Sequence, residues 1–243
     1  MSNAHNGGVA AVVAVPAAII AIGLASCQVG SSEPTPMPSV TMTAEPTATP
    51  VPRLNGQDPL DAGRYQVNAG LSTEVTVAVP SGWSASGDWV VIGPRDNDLP
   101  DGMAIRFYAI DNLAANPLSF EEGGMDPPPG PTVDDLVQAI VSHPSWTATA
   151  PTDITIDGHH GQLVEIAIPM DVELVGAEPR FYLSIDPGGG GIWGWAPGQT
   201  FDWYIVDVDG QRLIIDAFHY PDTPEEDLTA QRAVVESVQF GSP

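Results

Sequence analysis

The chain has 243 residues, with 31 acidic side chains against 7 basic ones, and a formal net charge of −24. A field of that sign repels phosphate backbones and anionic headgroups, which argues against nucleic acid as a partner. The one cysteine, Cys27, leaves no internal disulfide and no thiolate zinc cluster.

Residues 9–25 form an apolar run broken only by Pro16 and Gly23. At about 17 residues it is short for a spanning helix and suits the apolar core of a signal peptide. It ends in Leu24, Ala25, Ser26 and Cys27, which resembles the lipobox of bacterial lipoproteins. The resemblance implies cleavage before Cys27 and a diacylglyceryl group on its sulfur. Two or three acyl chains, at roughly 0.8 kcal/mol per buried methylene, hold a protein on a bilayer durably. Residues 1–8 carry no Lys or Arg, unlike the usual basic start. A start site further upstream and an uncleaved anchor both accommodate this, and both leave the remainder outside the membrane.

Pro34, Pro36, Pro38, Pro46, Pro50 and Pro52 alternate with Ser and Thr in a segment with little to bury. Such a stretch is an extended spacer. Thr41, Thr43, Thr47 and Thr49 are O-glycan acceptors in one reading and plain solvated spacer in the simpler one. The expected organisation is therefore a signal peptide at 1–26, lipidated Cys27, a linker at 28–56 and a folded domain at 57–241. The localisation expected is extracytoplasmic, with the membrane engaged through the lipid.

Within the domain, Val75, Val77 and Val79 alternate with polar or small residues and predict a strand stopped by Pro80. Residues 89–92 and 103–110 are further apolar runs, the second with Arg106 inside it. Thr132 and Asp135 have capping-box spacing, and Val133, Leu136, Val137, Ile140 and Val141 share one helical face before Pro144. Ile154 and Ile156 lead into a turn read as Gly158-His159-His160-Gly161, and Val164, Ile166 and Ile168 lead out of it. Asp209-Gly210 predicts a two-residue type I′ turn, pairing Asp207 with Arg212, Ile205 with Ile214, Trp203 with Asp216 and Phe201 with Phe218. Both faces of that hairpin are apolar, so both faces of its sheet should be covered. Thr223 as N-cap, Pro224 and Glu226 then open a last helix carrying Leu228, Val234, Val235 and Val238.

The stretch RLIIDAFHYPDTPEED after an antiparallel sheet, with Val75 through Pro80, Gly82 and Trp83 as opening strand and turn, resembles the PsbP-like and LpqN-like domains. It is also similar to extracytoplasmic actinobacterial domains. The resemblance implies an α+β fold, an antiparallel sheet of about six to seven strands in an α/β/α sandwich, and a binding or assembly role.

Candidate chemistry is sparse. His159 and His160 are the metal candidates, although neighbouring residues point apart and no third ligand is spaced to join them. Asp207, Asp209 and Gly210 start like a calcium loop, but Arg212 stands where a ligand is needed. Gly188 to Gly191 lacks the Lys and helix start of a phosphate loop. Arg106 suits a ligand carboxylate or phosphate, or else a structural ion pair. Trp193 and Trp195, with Tyr204, Phe218 and Tyr220, are candidates for an apolar or sugar-binding pocket, against simple core packing. His219 with Asp216 or Asp222 and Ser184 offers a hydrolase triad without a nucleophile-elbow motif. The long segment 112–131 is a candidate lid or partner-contact edge.

These readings converge on a surface lipoprotein whose domain binds an envelope protein or a small apolar or sugar ligand without catalysis. The ligand-contact candidates are Arg106, Trp193, Trp195, Tyr204 and His219, and no cofactor is expected. An envelope hydrolase using His219 or His159, and a structural accessory of a larger complex, are the alternatives.

Overall fold

The computed structural model describes residues 50–94, 98–175, 179–185 and 190–241. Cys27, the apolar run, the spacer up to residue 49, and Gly188 and Gly189 lie outside them. In chain order the elements are β1 (Gly63–Val67), β2 (Val75–Val79), β3 (Ser84–Ser86), β4 (Val90–Ile92), β5 (Met103–Tyr108) and α1 (Val133–Ser142). Then follow β6 (Thr147–Ala148), β7 (Thr152–Ile156), β8 (His159–Ala167), β9 (Phe181–Tyr182), β10 (Trp193–Gly194), β11 (Thr200–Val208), β12 (Gln211–His219), α2 (Glu225–Glu236) and β13 (Gln239–Phe240). The fold is sheet-rich α+β. Among the described residues no helix is long and apolar enough to cross a membrane.

An antiparallel eight-stranded sheet forms the frame, in the order β3-β4-β5-β12-β11-β8-β6, with β7 also on β8. This exceeds the six to seven strands expected, because β3 and β6, of three and two residues, are too short to show a periodicity. A separate three-stranded sheet, β1-β2-β13, and a ribbon of β9 and β10 add further layers.

The β11–β12 hairpin pairs in the register its Asp-Gly turn demands: Asp207 with Arg212, Ile205 with Ile214, Trp203 with Asp216, and Phe201 with Phe218. Asp209 and Gly210 take positive φ of 54° and 80°, and the Asp207 carboxylate accepts the Gly210 amide at 2.7 Å. The preceding hairpin turns one step earlier than expected. Ile156 pairs with His159, and Asp157-Gly158, with φ of 46° and 83°, makes the turn. His159 and His160 therefore belong to β8, not to a loop.

Both faces of the central sheet are covered. On one, Phe201, Trp203, Ile205, Ile214 and Phe218 pack with Leu136, Val137 and Ile140 of α1 and with the Phe181, Leu183 and Ile192 layer. On the other, Val206, Val208, Leu213, Ile215 and Ala217 pack against the three-stranded sheet and Val234, Val235 and Val238.

The helices start differently. Thr132 and Asp135 form a reciprocal capping box on α1. On α2 the expected Thr223 cap is absent: Pro224 holds the cap position without a side-chain bond. Thr223 instead donates its hydroxyl to the Gly102 carbonyl and accepts the Tyr220 amide, both at 3.1 Å, tying the end of β12 to the start of β5.

Candidate functional site

Arg106 and Asp216 face each other across β5 and β12 as directly paired residues. Arg106 is 4 % exposed and Asp216 is fully buried. The guanidinium reaches one carboxylate oxygen, Oδ2, from Nε at 2.7 Å and from Nη2 at 2.5 Å. Burial pushes the Asp216 carboxyl upward from its ordinary pKa, and the Arg106 charge pulls it back. Trp203, the cross-strand neighbour on β11, faces the same carboxylate without a well-formed hydrogen bond, leaving Oδ1 under-satisfied. Arg106 thus serves as the structural ion pair, not as a free anchor for a ligand anion.

Aromatic rings enclose that pair and run outward from it. The Arg106 guanidinium lies 4.5 Å from the Phe218 ring centroid, 5.7 Å from Tyr108 and 5.9 Å from Trp195. Its Nη1 donates to the Trp193 carbonyl at 3.3 Å. From Phe218 the rings continue to Trp195 at 5.8 Å and Trp193 at 6.3 Å. Tyr182 at 6.3 Å and Phe120 at 5.4 Å complete the ladder. Arg180 sits 4.5 Å over the Trp193 ring. The ladder therefore begins at a buried ion pair and ends at the surface, where Phe120 is 39 % and its neighbour Leu118 is 54 % exposed. Edge-to-face and tilted contacts of this kind fix each ring by its neighbours.

The outer end of the ladder belongs to the long segment 112–131, which is ordered by its own bonds. Ala115 donates to the Gly123 carbonyl at 3.0 Å, and Tyr182 donates to that of Pro117 at 2.8 Å. Arg212 clamps the segment from the sheet through the carbonyls of Gly130, Thr132 and Ile110. His143 donates from Nε2 to the Ala114 carbonyl at 3.0 Å and stacks on Trp146 at 3.7 Å, and burial lowers its pKa. It holds the segment as a neutral ring.

Of the five ligand-contact candidates, Arg106, Trp193 and Trp195 come together. Tyr204 and His219 do not join them: strand alternation puts both on the α2 face, where Tyr204 packs on the aliphatic core. Burial and the Arg232 charge lower the His219 pKa. Ser184 lies in the layer over the opposite face, fully buried and accepting the Ile192 amide at 2.8 Å. Asp216 is committed to Arg106, so the hydrolase triad is not assembled. His159 donates to the Asp207 carbonyl at 3.1 Å and packs edge-on against Phe240, while His160 approaches Thr155. Their rings diverge, and among the described residues no group of three or more potential metal ligands forms.

Sequence reasoning overlooked Tyr182, Phe120 and Arg180. Each lies in or beside a short or irregular element with no periodicity, and only the position of Tyr182 two residues after Arg180 hinted at a shared surface. No protein-family model matches the chain, and no curated protein matches it.

Proposed function

We propose that the chain is an extracytoplasmic lipoprotein, anchored through Cys27, whose folded domain binds an envelope partner through the outer end of the aromatic ladder. The observation that carries this reading is the run of rings from the buried Arg106–Asp216 pair to exposed Phe120, with Arg180 stacked on Trp193. Trp, Tyr and Arg are the residue types that dominate binding hot spots, and rings held rigid by one another lose little entropy on contact. The lipobox-like end of the apolar run and the Pro-rich spacer support the address. We further read the central sheet, with a helix on each face, as a relative of the PsbP-like and LpqN-like sandwiches. A binding or assembly role is what that likeness suggests.

Two experiments test the reading. Cys27→Ala abolishes incorporation of labelled fatty acid and releases the protein from the membrane fraction; retained label would remove the anchor. Native mass spectrometry of the intact protein, gently extracted from its own host, shows a stoichiometric partner. That partner is lost in Phe120→Ser and Trp193→Ala. A complex indifferent to both substitutions contradicts the aromatic surface.

A further inference from the structure

A groove far from the ladder in character lies beside the three-stranded sheet. Two concavities of about 430 and 510 Å³ meet there, sharing Arg53 and Asp88 as walls. We propose that this groove is a second binding site, independent of the aromatic ladder, and that it takes a neutral carbohydrate.

The walls are fixed before any ligand arrives. Gly56 donates to the Gly87 carbonyl at 2.9 Å, and Asn68 donates to that of Asp88 at 2.7 Å. Leu54 donates to Gln66 and Gln66 to Pro52, which straps the chain leading into the domain along β1. A pocket of this size, largely formed in advance, suits a small ligand.

Its chemistry selects the class. The lining is dominated by amides, hydroxyls and isolated charges; of its apolar members, Leu54, Val67 and Ala69 are buried in the core and Leu71 alone is part-exposed. An apolar ligand would therefore find little to bury. An anion meets the carboxylates of Glu74 and Asp88, and an ammonium group meets Arg53. What remains is a neutral molecule rich in hydroxyls. Arg53 donates Nε to Gln66 at 2.9 Å, and its Nη1 and Nη2 have no partner among the described residues. Asp88 accepts Asn68 on Oδ2 at 3.1 Å and keeps Oδ1 without a partner among those residues. Neighbouring sugar hydroxyls both give and accept protons, so a guanidinium fork and a carboxylate oxygen on facing walls match them as donor and acceptor. Trp89, 37 % exposed, lies beside Gly87 of the wall, where a Cβ would meet its Nε1 at 3.3 Å, and packs its ring against Tyr108 at 5.2 Å. An indole N–H beside the wall provides a donor for a sugar hydroxyl.

The test reads the indole N–H resonances of the intact, detergent-solubilised chain, with that of Trp89 assigned by Trp89→Phe. Neutral oligosaccharides of hexose, pentose and N-acetylhexosamine type are titrated in turn. The proposal expects one class to shift the Trp89 resonance saturably while that of Trp193 stays in place. Arg53→Gln and Asp88→Asn should each weaken binding at least about tenfold, the loss of a charged hydrogen bond. The unmoved remaining indoles report that these variants are folded. No shift at Trp89 with any of the three classes, or a shift indifferent to both variants, overturns the proposal. A shift at Trp193 instead would return sugar binding to the ladder, so failure here is separable from failure of the partner surface.

Discussion

The two faces of the central sheet are built from alternate residues of the same strands, yet they handle charge in opposite ways. On the α1 face, Arg106 and Asp216 are buried together, directly opposite one another and wrapped in rings. On the α2 face, Asp202 sits directly across from Glu165, a like charge. Burial and Glu165 push the Asp202 pKa up to about 6, and Arg232, already bonded to Glu225 at 2.6 Å, offsets only part of this. A buried charge with a cross-strand counterion is absorbed into the core. A half-buried one without it displaces its own titration instead.

The two faces should respond to substitution most unequally at Asp216. Asp216→Ala leaves a buried guanidinium unpaired and should cost about 3–5 kcal/mol in urea unfolding. The double variant Arg106→Met with Asp216→Leu should recover most of that loss, because it removes both charges. If the single variant is tolerated, the pair is not what fills this face. On the other face the sign reverses. The folded-state pKa of Asp202 lies above its ordinary 3.8. Its contribution is therefore complete below pH 3.8 and is lost as pH rises through about 6. Asp202→Asn should raise stability by about 2 kcal/mol above that range and change little below pH 4. A stability gain independent of pH would contradict this origin. His143 and His219, both lowered, act oppositely, contributing stability above pH 6.5 that is lost as acid protonates them.

Smaller effects separate the two helices that cover the faces. Thr132→Ala should destabilise by about 1 kcal/mol through loss of the capping box. Thr223→Ala should cost about as much, by removing the hydroxyl that bridges the Tyr220 amide and the Gly102 carbonyl and leaving only their direct bond at 3.3 Å. Amide exchange distinguishes them: the first frays α1, and the second exposes the end of β12 while α2 remains protected.

What the chain disclosed in advance follows from range. The β11–β12 register was legible because a two-residue Asp-Gly turn leaves no freedom in pairing. The same dipeptide at Asp157-Gly158 was passed over, since apolar residues resume only at Leu163 and the intervening histidines look like loop. The α1 cap was legible from local spacing. Thr223 was not, because its hydroxyl is claimed by Gly102, far away in sequence. Arg106 stood out, but its partner depends on β5 lying beside β12, a pairing with no local signal. Tyr204 and His219 were grouped with the tryptophans by nearness along the chain, whereas strand alternation sends them to the other face. The Arg53 groove was invisible for a different reason: its walls are loop ends and exposed polar side chains, which obey no period.

Photo-crosslinking in living cells interrogates the binding surface at the outer end of the ladder without purification. A photoreactive side chain is placed at Phe120, and as a control at exposed Ala233 on α2. One dominant adduct is expected from position 120, diminished by Trp193→Ala, and none of the same mass from position 233. The same adducts from both positions, or none from position 120, would contradict that surface.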